Sequence, residues 1–164
     1  MNNFEAFFEL AKPIITHPKF ILQKNYRHHT TNLYDHCILV AFHSYKWAKR
    51  KNLDVKSIVR GALLHDFFLY DWRIQGKAIK KRGLKKHGFT HALTAYKNAD
   101  ALFGMNDLEK DIILKHMFPL NLKPPRYKES WIVNIIDNFI TFKEYFKDPS
   151  HPILDYIKKR CNDS

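Results

Sequence analysis

Gly61-Ala62-Leu63-Leu64-His65-Asp66-Phe67-Phe68 is an apolar run interrupted by one imidazole and one carboxylate. Asp54 is placed to cap a helix running from Val55 to about Phe68, with Gly61-Ala62 as a small-residue surface for a close neighbour. A carboxylate carried into an apolar interior costs several kcal/mol at least, unless a cation or hydrogen bonds compensate it. Adjacent side chains leave a helix about 100° apart, so His65 and Asp66 reach one ion from the same helix end. The second oxygen of Asp66 is free to bridge to another ion.

The same interruption recurs along the chain. His36 starts the run Cys37-Ile38-Leu39-Val40-Ala41, His91 opens one helix, His116 closes another, and Asp137 lies within Ile135-Ile136-Asp137-Asn138-Phe139. A divalent metal is the most economical compensation for several such groups brought together. Imidazole and carboxylate suit iron, manganese, cobalt, nickel or zinc, as one ion or two.

Almost every other segment reads as helix. Phe4, Phe7, Phe8 and Leu10 fall at helical spacing over roughly Asn3 to Ala11, with a stop at Pro13. Residues 16–31 show no period and read as loop or a short turn. A long helix follows from about Asn32 to Lys51, capped by Thr31 or Asn32, with Lys46, Lys49, Arg50 and Lys51 where the helix dipole favours cations. Residues 69–88 are irregular. Thr90 caps a helix ending near Phe103, with Gly104 just beyond it. Asn106 and Glu109 form a capping box for a helix reaching Met117. Ser130 to Phe146 forms another helix, and Ser150 caps a last one reaching Arg160. The stripes Phe4, Phe7, Phe8 and Ile135, Ile136, Phe139, Phe142 read as core. No segment alternates as a strand does. The expected fold is all-α: one compact helical bundle over residues 1–164, with a core at about 30–142 and the terminal helices packed on it.

Hydrophobic residues make up 45% of the 164 residues, enough for a real core. The start, MNNFEAFFEL, carries Glu5 and Glu9 and has no basic n-region, so no signal peptide is expected. No apolar run reaches membrane-spanning length, and no membrane partner is expected. Cys37 and Cys161 lack CxxC partners, and a reduced cytoplasmic compartment is the simplest reading. The net charge of +12 concentrates anions around the protein. Phosphorylated small molecules or nucleic acid would both respond to it.

The ordered series His36, Leu63-Leu64-His65-Asp66 and Asp137 in a helical chain resembles the HD superfamily of metal-dependent phosphohydrolases, over roughly residues 30–142. Phe89-Thr90-His91-Ala92 and Ile112-Ile113-Leu114-Lys115-His116 match, in order and spacing, the two further histidines of its two-metal branches. The resemblance implies one ion on His36, His65, Asp66 and Asp137, and another on Asp66, His91 and His116. It implies hydrolysis of a phosphomonoester or phosphodiester, with a nucleotide or related small molecule as substrate. Two other reactions stay open: a di-iron oxygenase using the same ligands, and a nuclease acting on single strands. The chain lacks the Gly-Tyr-Pro element of the cyclic-di-GMP phosphodiesterases, which argues against that substrate. Leu69 stands where the nucleotidase-like branch often has an acid, and Asp71 is the candidate general acid instead.

Trp72 to Ala99 contains eight Lys or Arg and no acid. It joins His65-Asp66 to His91 and reads as a basic lid for phosphate, with Lys85 and Lys86 nearest the metals. Arg27 and Tyr26 contribute from the other side. His87 competes with His91, but Gly88 and Thr90 place the helix start after it. His43, two turns beyond His36, reads as packing or as support for a ligand.

Overall fold

In a computed structural model of the protein, residues 2–28, 31–69, 87–146 and 151–162 are described. They form eight α-helices and one two-residue strand pair. Helix α1 spans Asn3–Ile15, α2 Pro18–Ile21, α3 Leu33–Arg50, α4 Val55–Leu64, α5 His87–Phe103, α6 Asp107–Lys115, α7 Lys128–Phe146 and α8 Pro152–Asn162. Strands β1 (Arg27–His28) and β2 (Thr31–Asn32) pair antiparallel just before α3. The fold is all-α, and this pair is the one departure from the helical reading among the described residues. The stretch expected as loop or short turn becomes α2 and a 3-10 turn over Leu22–Asn25.

Helix α3 is the central element. Asn32 caps it by accepting from the Asp35 N–H at 2.9 Å. From Leu33 to Phe42 every residue except Asp35 is buried, because α4, α7, α8 and the 3-10 turn surround it. Helix α4 is capped by Asp54, which accepts from both the Ser57 N–H and its hydroxyl. One hydrophobic cluster joins Phe7 and Phe8 of α1 to α3, α4, α6 and α7, and to Ile153, Leu154 and Ile157 of α8. No helix among the described residues is long and apolar enough to cross a membrane.

Several boundaries differ from the sequence reading, each for a physical reason. Helix α1 runs through Pro13 to Ile15. Proline inside a helix costs about 3 kcal/mol, whereas Ile14 and Ile15 are almost completely buried, which is worth about 3–6 kcal/mol together. Helix α4 stops at Leu64 rather than near Phe68, because His65 and Asp66 leave the helix to enter the site. Helix α5 starts at His87, ahead of the expected Thr90 cap. Gly88 lowers helix propensity by about 1 kcal/mol relative to alanine but permits helical backbone, so it does not set the boundary. At its far end Gly104 takes φ +59°, as expected of the residue after a helix. The Asn106–Glu109 capping box is present at α6.

The largest correction concerns α7. Ile135, Phe139 and Phe142, expected in the core, are 48%, 49% and 63% exposed. The inward face of α7 instead carries Ser130, Val133, Asn134, Asp137, Ile140 and Glu144, all buried. The polar residues are drawn inward by the site, and the helix turns its aromatic stripe outward as a consequence. The Phe7 and Phe8 stripe of α1 is core, with Phe4 packed against it.

Helices α4 and α6 approach closely at Gly61, where an added Cβ would lie 2.8 Å from Ile112 Cδ1. Replacing Gly61 by valine should therefore overpack this contact and cost about 1–3 kcal/mol. Thermal denaturation should show a melting temperature several degrees lower; an unchanged value would mean that the two helices are not in contact.

Candidate metal centre

Five elements deliver six polar side chains to one region. His36 lies in the first turns of α3, His65 caps the C-terminus of α4 and Asp66 follows it. His91 sits in the second turn of α5, His116 caps the C-terminus of α6, and Asp137 is midway along α7. All six are buried. Their ligating atoms fall into two groups, His36, His65 and Asp137 in one and Asp66, His91 and His116 in the other, each within 4.8 Å. The groups adjoin, with the His65 and His116 rings 4.9 Å apart. Asp66 faces both: Oδ2 lies 3.7 Å from His65 Nε2, while Oδ1 lies 3.6 Å from His91 Nε2 and 3.4 Å from His116 Nε2.

Hydrogen bonds at the outer edge of the rings decide what points inward. His65 Nδ1 donates to the Ala62 carbonyl and His116 Nδ1 to the Ile113 carbonyl, both at 2.7 Å. A carbonyl only accepts, so Nδ1 carries the proton in each ring. His36 Nδ1 donates to Glu144 Oε1 at 2.9 Å. Neutral rings held this way present bare Nε2 lone pairs to one another and to carboxylate oxygens. His65 Nε2 is buried without a hydrogen-bond partner, 3.6 Å from Asp137 Oδ1. His36 Nε2 lies 3.1 Å from the same oxygen, and the Nε2 atoms of His91 and His116 are 3.2 Å apart. Lone pairs facing lone pairs repel unless a proton or a metal cation lies between them. Ligands bonded at about 2.0–2.2 Å to one ion stand roughly 3.0–3.4 Å from each other. Three of the six separations fall on those ligand-to-ligand edges and the other three exceed them by 0.2–0.3 Å, so the donor set fits divalent ions in chemistry and nearly in spacing.

With no cation bound, protons take over this role. Burial disfavours charge on His36, yet the hydrogen bonds and charges of Asp137 and Glu144 outweigh it and raise its pKa from 6.5 to about 10. His65 also rises, against burial, through Asp66 and Asp137. Burial would raise Asp66 and Asp137, but the neighbouring histidines hold both well below the usual carboxylate range.

The surroundings fix these positions. Arg60 of α4 pairs with Glu109 at 2.6 Å and donates to the Phe103 and Gly104 carbonyls, tying α4 to α6 and to the end of α5. Asn134 donates to the His116 and Phe118 carbonyls, and Asn98 to the Phe67 carbonyl. Tyr26 donates to the Leu69 carbonyl at 3.3 Å, holding the chain as it leaves the His-Asp turn with Leu69 at φ +56°.

Glu144 escaped the sequence reading. It is fully buried, seven residues after Asp137 and so two turns along the same face. Its two-turn register with Asp137 was the available signal. His43 packs on His151, with ring centroids 5.2 Å apart, rather than on a candidate ligand. Asp71, Lys85 and Lys86 lie outside the described residues, as do the side chains of Arg27 and His87. The backbone of Arg27 pairs with that of Asn32.

An all-helical fold that gathers imidazoles and carboxylates at two adjoining points defines a class of metal-site protein. The HD domain family matches residues 33–141, and the chain belongs to that family. HD domains form a superfamily of metal-dependent hydrolases. Comparison with curated proteins and with solved structures returns no significant match.

The raised histidine contributes stability fully present below pH 6.5 and lost as pH rises through about 10. The depressed carboxylates act in the opposite direction, their contribution being lost in acid. Chelator-treated protein should therefore melt at lower temperature at pH 9 than at pH 6.5. Metal-saturated protein should not show this fall, since neutral imidazole is the ligand form. A flat profile after chelation would contradict the proton account.

Replacing Glu144 by alanine frees the His36 ring to rotate. Metal affinity should fall about 10–100-fold, as read by competition with a chromogenic chelator, and glutamine should restore much of it. Equal loss in both variants would remove Glu144 from the site.

Proposed function

We propose that the protein is a phosphohydrolase, a phosphomonoesterase or phosphodiesterase, acting on a nucleotide or other small phosphorylated molecule. The observation that carries this reading is Asp66, whose two oxygens face two adjoining sets of inward ring nitrogens. His36, His65, Asp66 and Asp137 would hold one divalent ion, and Asp66, His91 and His116 a second. When bound, such ions supply Lewis acidity toward phosphoryl oxygens and lower the pKa of water into the neutral range.

The chain's own residues do the rest. The Ala62 and Ile113 carbonyls and Glu144 fix which nitrogen of the His65, His116 and His36 rings faces inward. The two buried carboxylates, Asp66 and Asp137, would offset half the charge of two divalent ions, leaving a net positive centre for a phosphate dianion to neutralise. Phe68 packs edge-on to the His91 ring, centroids 5.9 Å apart, and adds apolar contact beside the site. The net charge of +12 raises the local concentration of anionic substrate. Asp71 as general acid, and Lys85, Lys86 and Arg27 as phosphate-binding residues, belong to this proposal.

Metal analysis of purified protein should find one or two equivalents of a transition ion. The same preparation should release phosphate or nucleotide from a panel of monoesters and diesters. Asp66→Asn should lower kcat on the order of 10³-fold and reduce the bound metal. Oxygen consumption by the iron-loaded protein without phosphate release would replace this reading with the oxygenase one. Absence of metal, with no rescue by manganese, cobalt, nickel or iron, would end both.

A further inference from the structure

A second concentration of charge lies farther along α3. His43 follows His36 by two turns, about 10 Å along the helix axis. His43, Lys46, Trp47, Arg50 and Lys51 line a surface cleft of about 330 Å³. His151, just ahead of α8, packs against the His43 ring. Lys143 of α7 acts on both rings.

Burial, with His151, Lys46 and Lys143, pushes the His43 pKa down to about 4, and burial with the same two lysines lowers His151. Among the described residues, no carboxylate acts on either ring. Lys46 and Lys143 lie over the Phe42 and Phe139 rings, contacts that leave their charge in place. Among the described residues, none of Lys46, Arg50, Lys51 and Lys143 makes an ion pair. The dipole at the end of α3 accounts for a cation or two in its last turn. It does not account for Lys143 or His151, which come from other parts of the fold, or for the cleft. Trp47 is 37% exposed and stacks on no ring among the described residues.

We propose that this cleft is a mononucleotide-binding site separate from the metal centre, in which Lys46, Arg50 and Lys51 hold phosphate and the Trp47 indole stacks on the base. The guanidinium of Arg50 matches phosphate as a two-point donor. An indole face receives any nucleobase with little dependence on sequence. The volume is at the small end of the range for ligand sites, about 300–1,000 Å³, and suits one nucleotide. Neutral His43 adds hydrogen-bonding capacity to the cleft without further repulsion among the cations.

Equilibrium dialysis of the full, metal-containing protein against AMP tests this, with inorganic phosphate and adenosine as controls. The variants are Lys46→Gln/Arg50→Gln, Trp47→Leu and Asp66→Asn, with melting temperatures confirming that each is folded. Binding should persist in Asp66→Asn and weaken roughly tenfold or more in the double variant. Trp47→Leu should weaken AMP without changing the binding of phosphate. Turnover in the double variant should stay at the wild-type level. Equal AMP affinity in the wild type and the double variant would overturn the site. So would equal affinity for AMP and phosphate, which would leave an anion site with no place for a base. Much tighter binding of a single-stranded oligonucleotide, lost in the double variant, would replace the mononucleotide with a nucleic-acid track.

Discussion

Lone pairs held face to face among buried side chains govern this molecule. His65 and His116 each spend Nδ1–H on a carbonyl of their own helix, and His36 spends its own on Glu144. What remains inward is bare nitrogen beside the oxygens of Asp66 and Asp137. Such an arrangement is stable only with positive charge between the atoms, supplied by protons or by metal. Ordinary core packing has no use for it, because apolar residues of the same volume would avoid the desolvation cost altogether.

The helices are arranged to serve that constraint. Helices α4 and α6 both end on a histidine whose Nδ1–H caps the last turn, so termination of the helix and orientation of the ring are one event. Gly61 lets α4 and α6 approach closely, which brings their two C-terminal histidines into ring contact. Arg60 and Glu109 reinforce the same pair of helices from the other side. Helix α7 presents a polar face inward and so exposes Ile135, Phe139 and Phe142. On α7, burial follows the needs of the site more closely than it follows hydrophobicity.

Basic charge is distributed unevenly around this core. At the candidate metal centre the carboxylates are matched by histidines, whereas around the far half of α3 no acid among the described residues pairs with Lys46, Arg50 or Lys51. The histidines differ accordingly. His36, between two carboxylates, holds its proton, and His43, partly buried and near His151 and lysines, gives it up easily. Two residues of one type on one helix, two turns apart, thus carry opposite electrostatic characters.

The helical class, the caps Asn32 and Asp54, the capping box at α6 and the ordered His and Asp series were legible in the chain itself. Each is a local signal: a polar residue before an apolar run, or a titratable residue inside one. Tertiary structure alone decided the orientation of α7, the early end of α4, the passage of α1 through Pro13 and the role of Glu144. A hydrophobic stripe says which face prefers burial, but not whether a stronger claim, such as carboxylates that must meet a cation, turns the helix around. That competition involves groups distant in sequence, so no local pattern records its outcome.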